Sequence, residues 1–184
     1  MLRLKGLAEG SCTAITKAGT VEVQIGDNVW IKMPEPKFVG EAVMDFPSPS
    51  STLAVVDVGL RIGIVEVTSF KELTRLQPTS NLADLCKNTG IDGVYAFTFD
   101  SKYDAAARFF APALGVAEDP ATGTAGAALA YYLHYSGRLV NEEYTFEQGH
   151  AMLREGVIHA KIEDGARVWV GGNAVCVLEG ELRV

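Results

Sequence analysis

Asp119, Gly123 and Thr124 fall within the segment "GVAEDPATGTAGAALAYYL", Gly115 to Leu133, and are the residues of this chain best suited to handling a small acid. A carboxylate takes or gives a proton, hydroxyls donate hydrogen bonds, and a glycine lets a ligand approach the backbone. The residues that follow read as a helix, so the amides of Gly123, Thr124 and Ala125 fall in its first turn and have no partner inside it. With the positive end of the helix dipole they form a site for an anion such as a substrate carboxylate. A charge-assisted hydrogen bond of this kind contributes about 1.5 to 3 kcal/mol, enough to orient a small acid. The Thr124 hydroxyl adds a donor. Asp119 stands beside the anion site, where a carboxylate is either partly protonated or accepts the substrate's proton. The plainer alternative is a tight loop in which Asp and Thr only cap. Two caps compete on sequence, Asp119 before Pro120 and Thr122 before Gly123.

The helix itself, "TAGAALAYYLHY", is apolar almost all the way round, so other structure must enclose it. Its Gly126, Ala127, Ala128 and Ala130 let sheet walls come close. Most of the remaining chain reads as strands. "TVEVQIGDNVWIKM" alternates apolar and polar residues on both sides of Gly26-Asp27-Asn28, the pattern of a hairpin with one buried face. "TLAVVDVG" and "GIVEVTS" are apolar and β-branched, as deeply buried strands are. Between these pairs lies "PEPKFVGEAVMDFPSPSST", whose four prolines predict a loop or interdomain crossing. Two helical pieces follow, with Ser80 placed to cap "NLADLCKNT" and Gly90 to end it. "GVYAFTFD" returns to strand character. After the apolar helix, "YTFEQG", "VIHAKI", "ARVWVGG" and "NAVCVLEGELRV" form a run of strands, two of them joined by a turn at Glu163-Asp164-Gly165. The expected fold class is α+β, a strongly curved sheet wrapped around a central apolar helix near 122–135.

A formal net charge of -7 without any Lys/Arg cluster argues against nucleic acid as a partner. Cys12, Cys86 and Cys176 are far apart, odd in number and without metal-ligand spacing, which fits a reduced compartment. "MLRLKGLAEG" lacks the sustained apolar core of a signal peptide and no segment approaches membrane-spanning length, so a cytoplasmic location without membrane contact is expected. Glu118 is expected to be an exposed acidic neighbour of Asp119. Glu147 in "FEQG" alternates with Phe146 and is a lesser candidate for facing the site. His134 marks the solvated end of the helix, and His150 and His159 read as structural histidines. Cys176 sits in an apolar run and reads as core.

Several separated motifs carry a resemblance. "ARFFAPALGVAEDPATGTAGAALAYYL" resembles the signature of the phenazine-biosynthesis-like (PhzF-like) isomerase family, in which an "EDP-x-TGSA" segment opens a central helix. "TKAGTVEVQ", "FEQG" and "VGGNAV" at Val170 to Val175 look like that family's flanking strands in the same order. The resemblance implies a diaminopimelate-epimerase-like fold of two similar lobes, each wrapping a sheet around a central helix, with the active site between them. It also implies isomerisation or epimerisation of small carboxylic acids with no cofactor and no metal. Asp119 is then a catalytic residue, while Gly123 and Thr124 bind the substrate. Thr124 stands where serine is usual, which keeps the hydroxyl and adds a methyl group.

In that family the front lobe supplies the glutamate that moves the proton and a glycine-histidine segment facing it. "MLRLKGLAEGSCTAITKAG" resembles sequence lying after both. The expected organisation is a front-lobe remnant over 1–45, with a strand hairpin and crossing, and a rear lobe over 46–184 whose last strands return to the remnant. Such a chain is expected to be a poor isomerase alone and to act as a homodimer or with a front-lobe partner chain. The alternative is a non-catalytic or vestigial domain that binds small carboxylates.

Overall fold

The structure, a computed structural model, describes residues 10–17, 19–173 and 180. The alternation around Gly26-Asp27-Asn28 folds as expected. Strands β2 (Gly19–Ile25) and β3 (Val29–Lys32) pair antiparallel across that turn, and β1 (Gly10–Thr16) lies along the other edge of β2. The proline-rich segment after them is not the loop its composition predicts: β4 (Lys37–Val43) runs antiparallel to β5 (Thr52–Asp57). All four prolines of the segment fall outside β4, so none removes a donor from the ladder. A bulge between Phe38 and Gly40 is absorbed by Gly40, whose φ of 134° suits glycine.

Strand β6 (Arg61–Glu66) returns along β5, and helices α1 (Phe70–Arg75) and α2 (Leu82–Thr89) carry the chain to β7 (Gly93–Thr98), parallel to β6. Helix α2 begins one residue later than Ser80 predicts, with Asn81 in the N-cap position and no side-chain cap. The backbone closes that turn instead, Leu82 N donating to Thr79 O at 3.1 Å. Gly90 ends α2 as expected, at φ 67°. Strand β8 (Ala105–Ala111) runs back along β7 and has β9 (Val116–Asp119) as a short side branch. Then come α3 (Gly123–Tyr135), β10 (Glu143–Gln148), β11 (Gly156–Glu163) and β12 (Arg167–Gly172). The turn between β11 and β12 puts Asp164 and Gly165 in left-handed backbone, at φ 52° and 70°. The expected strand "NAVCVLEGELRV", with Cys176, lies almost wholly outside the described residues.

These strands make one 12-stranded sheet, in the order β1-β2-β3-β12-β11-β10-β8-β7-β6-β5-β4 with β9 beside β8. Helix α3 packs on β11 and β12 and also on β5 and β6, which lie on opposite sides of β10-β8-β7 in that order. One helix reaches both only if the sheet curls around it. The α+β, diaminopimelate-epimerase-like fold expected from the sequence is therefore present, with α3 at its centre. On α3, Ala125, Ala127, Ala128, Leu129, Ala130 and Leu133 are buried against Tyr95, Phe97, Phe109 and Phe146. Gly126 lets Ile158 of β11 come so close that a methyl group there would sit 2.7 Å from its Cγ2. A second core lies on the outer face, where Val94, Ala96, Ala106 and Phe110 pack with Leu73, Leu82 and Cys86. Both faces of β7 and β8 are thus covered, which accounts for their unbroken apolar runs. Among the described residues, no helix is long and apolar enough to cross a membrane.

Candidate functional site at the head of the central helix

Thr122 takes the N-cap position of α3, in extended backbone at φ -122° and ψ 97°, but its side chain makes no cap hydrogen bond. Its hydroxyl turns back and donates to Asp119 Oδ2 at 2.5 Å. This resolves the two competing caps: Thr122 occupies the position, and Asp119 receives the hydroxyl. The amides of Gly123, Thr124 and Ala125 therefore keep the uncapped state that a helix start presents to an anion. A methyl group at Gly123 would meet Val170 Cγ2 at an ordinary 3.4 Å, so packing inside the chain does not itself demand glycine there. Asp119, Thr122, Gly123 and Thr124 are all partly exposed, as ligand-facing groups must be. The structure thus brings the three sequence-predicted site residues, Asp119, Gly123 and Thr124, to one end of α3.

The residue that fixes this geometry is Gln148, at the end of β10, which is fully buried. Its Nε2 donates to the Asp119 carbonyl at 2.6 Å and to Thr122 Oγ1 at 3.1 Å. Its Oε1 accepts from Tyr95 Oη at 2.9 Å and from the Thr122 amide at 3.3 Å. All of its hydrogen-bonding capacity, two donors and two lone pairs, goes into tying β9, β7 and the start of α3 together. Burial, with the nearby Asp119 charge, pushes the Tyr95 hydroxyl far above its usual range, so it stays a neutral donor. Sequence reasoning passed over Gln148, although β10 carries a legible signal: its inward positions are Tyr144, Phe146 and Gln148. A polar residue on an apolar face must find buried partners.

Glu118 points the other way from Asp119 and is not the exposed neighbour expected. Its two carboxylate oxygens accept from Nε and Nη2 of Arg108, each at 2.8 Å, in a fork-to-fork pair with side-chain exposures of 6% and 17% for Arg108 and Glu118. Arg108 Nη1 also donates to the carbonyls of Leu73 and Leu76 at the end of α1. The pair anchors β9 from behind while Asp119 faces α3.

Glu147 also faces away from the site. It lies on the outer face of β10, with an oxygen 3.8 Å from Nδ1 of His150. His150 stacks on Phe70 at 4.3 Å and its Nε2 meets Thr74 Oγ1 at 3.1 Å. Burial lowers its pKa against the pull of Glu147, so the ring is held neutral. His134 sits in the last turn of α3 with Nδ1 3.4 Å from Tyr144 Oη, and His159 lies beside Trp30 on the sheet. Among the described residues, no group of three His, Cys, Asp or Glu is arranged to hold a metal ion.

A family model described as phenazine biosynthesis-like protein matches residues 36–180. Over 142 residues the chain is 34% identical to an uncharacterised isomerase of Clostridium acetobutylicum, covering 71% of this chain and 47% of that one. The chain thus spans about half the length of that curated relative. Its fold superposes on a Bacillus anthracis phenazine biosynthesis protein of the PhzF family with a TM-score of 0.80 at 23% identity, covering 100% of this chain and 72% of the other. A structure described as a predicted epimerase from Pseudomonas aeruginosa gives a TM-score of 0.72 at 20% identity, over 97% of this chain and 71% of that one. Likeness at these identities speaks for the fold.

Proposed function

Because the chain belongs to the phenazine biosynthesis-like protein family, we propose that it forms part of a cofactor-independent isomerase or epimerase acting on a small carboxylic acid. The observation that carries this reading is the head of α3: uncapped amides at Gly123, Thr124 and Ala125 stand beside an Asp119 that Thr122 and Gln148 hold in place. The substrate carboxylate bonds to these amides and to the Thr124 hydroxyl. When the neighbouring carbon loses its proton, the C–H electron pair moves into the carboxyl group, and the fixed amides stabilise the added negative charge. A carboxylate from a partner, either a second copy or a front-lobe chain, takes that proton. In this reading Asp119 donates the proton that returns to the carbon skeleton, so the substrate regains the one proton it gave to the partner carboxylate.

What supports a partner is the sheet extension β1 to β3, in which no residue is buried. One of its faces, carrying Val21, Val23, Ile25, Val29 and Ile31, continues through the Ile31 to Val170 pairing onto the side of β12 that packs against α3. An apolar face that is half-buried at Val21, Val23 and Ile25 and exposed at Val29 and Ile31 is where a second polypeptide would complete the site. Action in the cytoplasm belongs to the same proposal.

The test is solvent-proton exchange in D2O on small 2-amino and 2-hydroxy acids, with the chain alone and with the front portion of a family relative added. Deuterium is expected at the carbon next to the carboxylate when the partner is present, and exchange falls to the buffer background in Asp119→Asn. Background exchange in the wild-type chain with a stably bound partner would contradict the reading.

A further inference from the structure

Between the β4–β5 connection and helix α1 lies a cavity of about 760 Å³. Lys71 and Arg75 both line it, from positions one turn apart and so on one face of α1. Both are exposed, and among the described residues neither forms a hydrogen bond or an ion pair. Their nearest candidate partners are engaged elsewhere. The carboxylate of Glu72, which shares the lining, accepts from the Thr68 amide at 3.2 Å and from the Thr68 hydroxyl. The carbonyls of Leu73 and Leu76, which could draw Arg75 back onto the helix end, accept from Arg108 Nη1 at 2.9 and 2.8 Å. In a chain of formal net charge -7, two unpartnered cations thus meet in one cavity.

We propose that this cavity binds a small organic phosphate monoester. At neutral pH such a group carries about two negative charges, which matches Lys71 and Arg75. The planar guanidinium of Arg75 can present paired N–H donors to the phosphate oxygens, and Lys71 adds a point charge one turn away. A single carboxylate balances only one of the cations. A neutral ligand balances neither, and a cationic ligand is repelled. The exposed side-chain amide of Gln77, without a partner among the described residues, adds a donor to the same lining. The two serines of the lining are already committed: Ser48 Oγ donates to the Ser50 carbonyl at 2.5 Å, and Ser69 Oγ accepts from the Glu72 amide at 3.2 Å. Val67 and Leu76 are buried and offer little surface, whereas Pro47 and Pro49 are exposed. Those two rings give the organic part of the ester an apolar surface to pack on. The cavity shares no residue with the head of α3.

The experiment titrates the ¹⁵N-labelled full chain at constant ionic strength with phenyl phosphate, benzoate and inorganic phosphate. Phenyl phosphate is expected to give saturable shifts at the amides of Lys71, Arg75 and Gln77. Benzoate, with one charge, and inorganic phosphate, without the ring, are each expected to bind there about five- to tenfold more weakly. Lys71→Gln and Arg75→Gln, at exposed positions that the fold does not depend on, are each expected to weaken phenyl phosphate about three- to fivefold, and together about tenfold. Lys87→Gln, at an exposed lysine of α2 outside the cavity, controls for net charge and is expected to leave the affinity unchanged. Absence of saturable phenyl phosphate shifts at α1, benzoate or inorganic phosphate binding as tightly, unchanged affinity in the double variant, or an equal loss in Lys87→Gln overturns the proposal.

Discussion

Gln148 and Tyr95 form the most sharply testable pair in the structure. Replacing Gln148 with leucine keeps the apolar bulk but strands its partners. Tyr95, fully buried, loses the acceptor for its hydroxyl, while the Asp119 carbonyl and the Thr122 amide lie where water can partly replace the lost contacts. One fully buried orphan donor and two half-wet groups amount to about 3 kcal/mol of lost stability. For a chain of this size that lowers the melting temperature by roughly 6 to 12 °C. Tyr95→Phe alone removes a donor that Gln148 Oε1 can spare, because the Thr122 amide still bonds to it, and costs about 1 kcal/mol. In the double variant the orphan hydroxyl is gone, so the loss is smaller than the sum of the single losses by about 1 to 2 kcal/mol. Urea unfolding of the four proteins measures this directly. Additivity to within about 0.5 kcal/mol would mean that the pair is not coupled and that Gln148 does not hold the head of α3 through Tyr95.

Glu118→Gln leaves Arg108 buried without its counter-charge and is expected to cost about 3 kcal/mol in urea unfolding, far more than a surface ion pair would. Gly126→Ala is expected to destabilise by about 1 to 3 kcal/mol despite the better helix former, because the methyl group strikes Ile158, and Ile158→Ala should recover part of that loss. Burial depresses the His150 pKa in the fold, against Glu147, Glu118 and Glu155 and together with Arg108, so the unfolded chain binds the extra proton first. Stability is therefore full above about pH 6.5 and declines as the pH falls from there through the folded value, and His150→Phe flattens that part of the melting curve against pH. Thr124→Val is expected to weaken binding of a small carboxylate about five- to tenfold in calorimetry without changing the melting temperature by more than about 2 °C.

The central helix was legible in the sequence because an apolar run without a polar face has one physical resolution, enclosure, and its small residues announce close walls. The β2–β3 hairpin and the Gly90 cap were legible for equally local reasons. Strand β4 was hidden because proline content was weighed over the alternation in "KFVGEAV", which the flanking prolines do not interrupt. Strand β8 was hidden because a strand covered on both faces, "AAARFFA", shows no period of two. Glu118 was misjudged because its partner, Arg108, is brought to it only by the pairing of β8 with β9, which spacing along the chain does not reveal. The site residues Asp119, Gly123 and Thr124 could be named early because they fall within one short segment of the chain. Gln148, which orders them, comes from another strand.

The most direct measurement is an amide chemical-shift titration of the ¹⁵N-labelled chain with lactate, a small 2-hydroxy acid. The proposed site predicts that the largest saturable shifts fall on the amides of Gly123, Thr124 and Ala125 and shrink in Thr124→Val. Shifts centred on any other part of the chain, or none at the head of α3, would contradict the carboxylate site on which the proposed proton transfer depends.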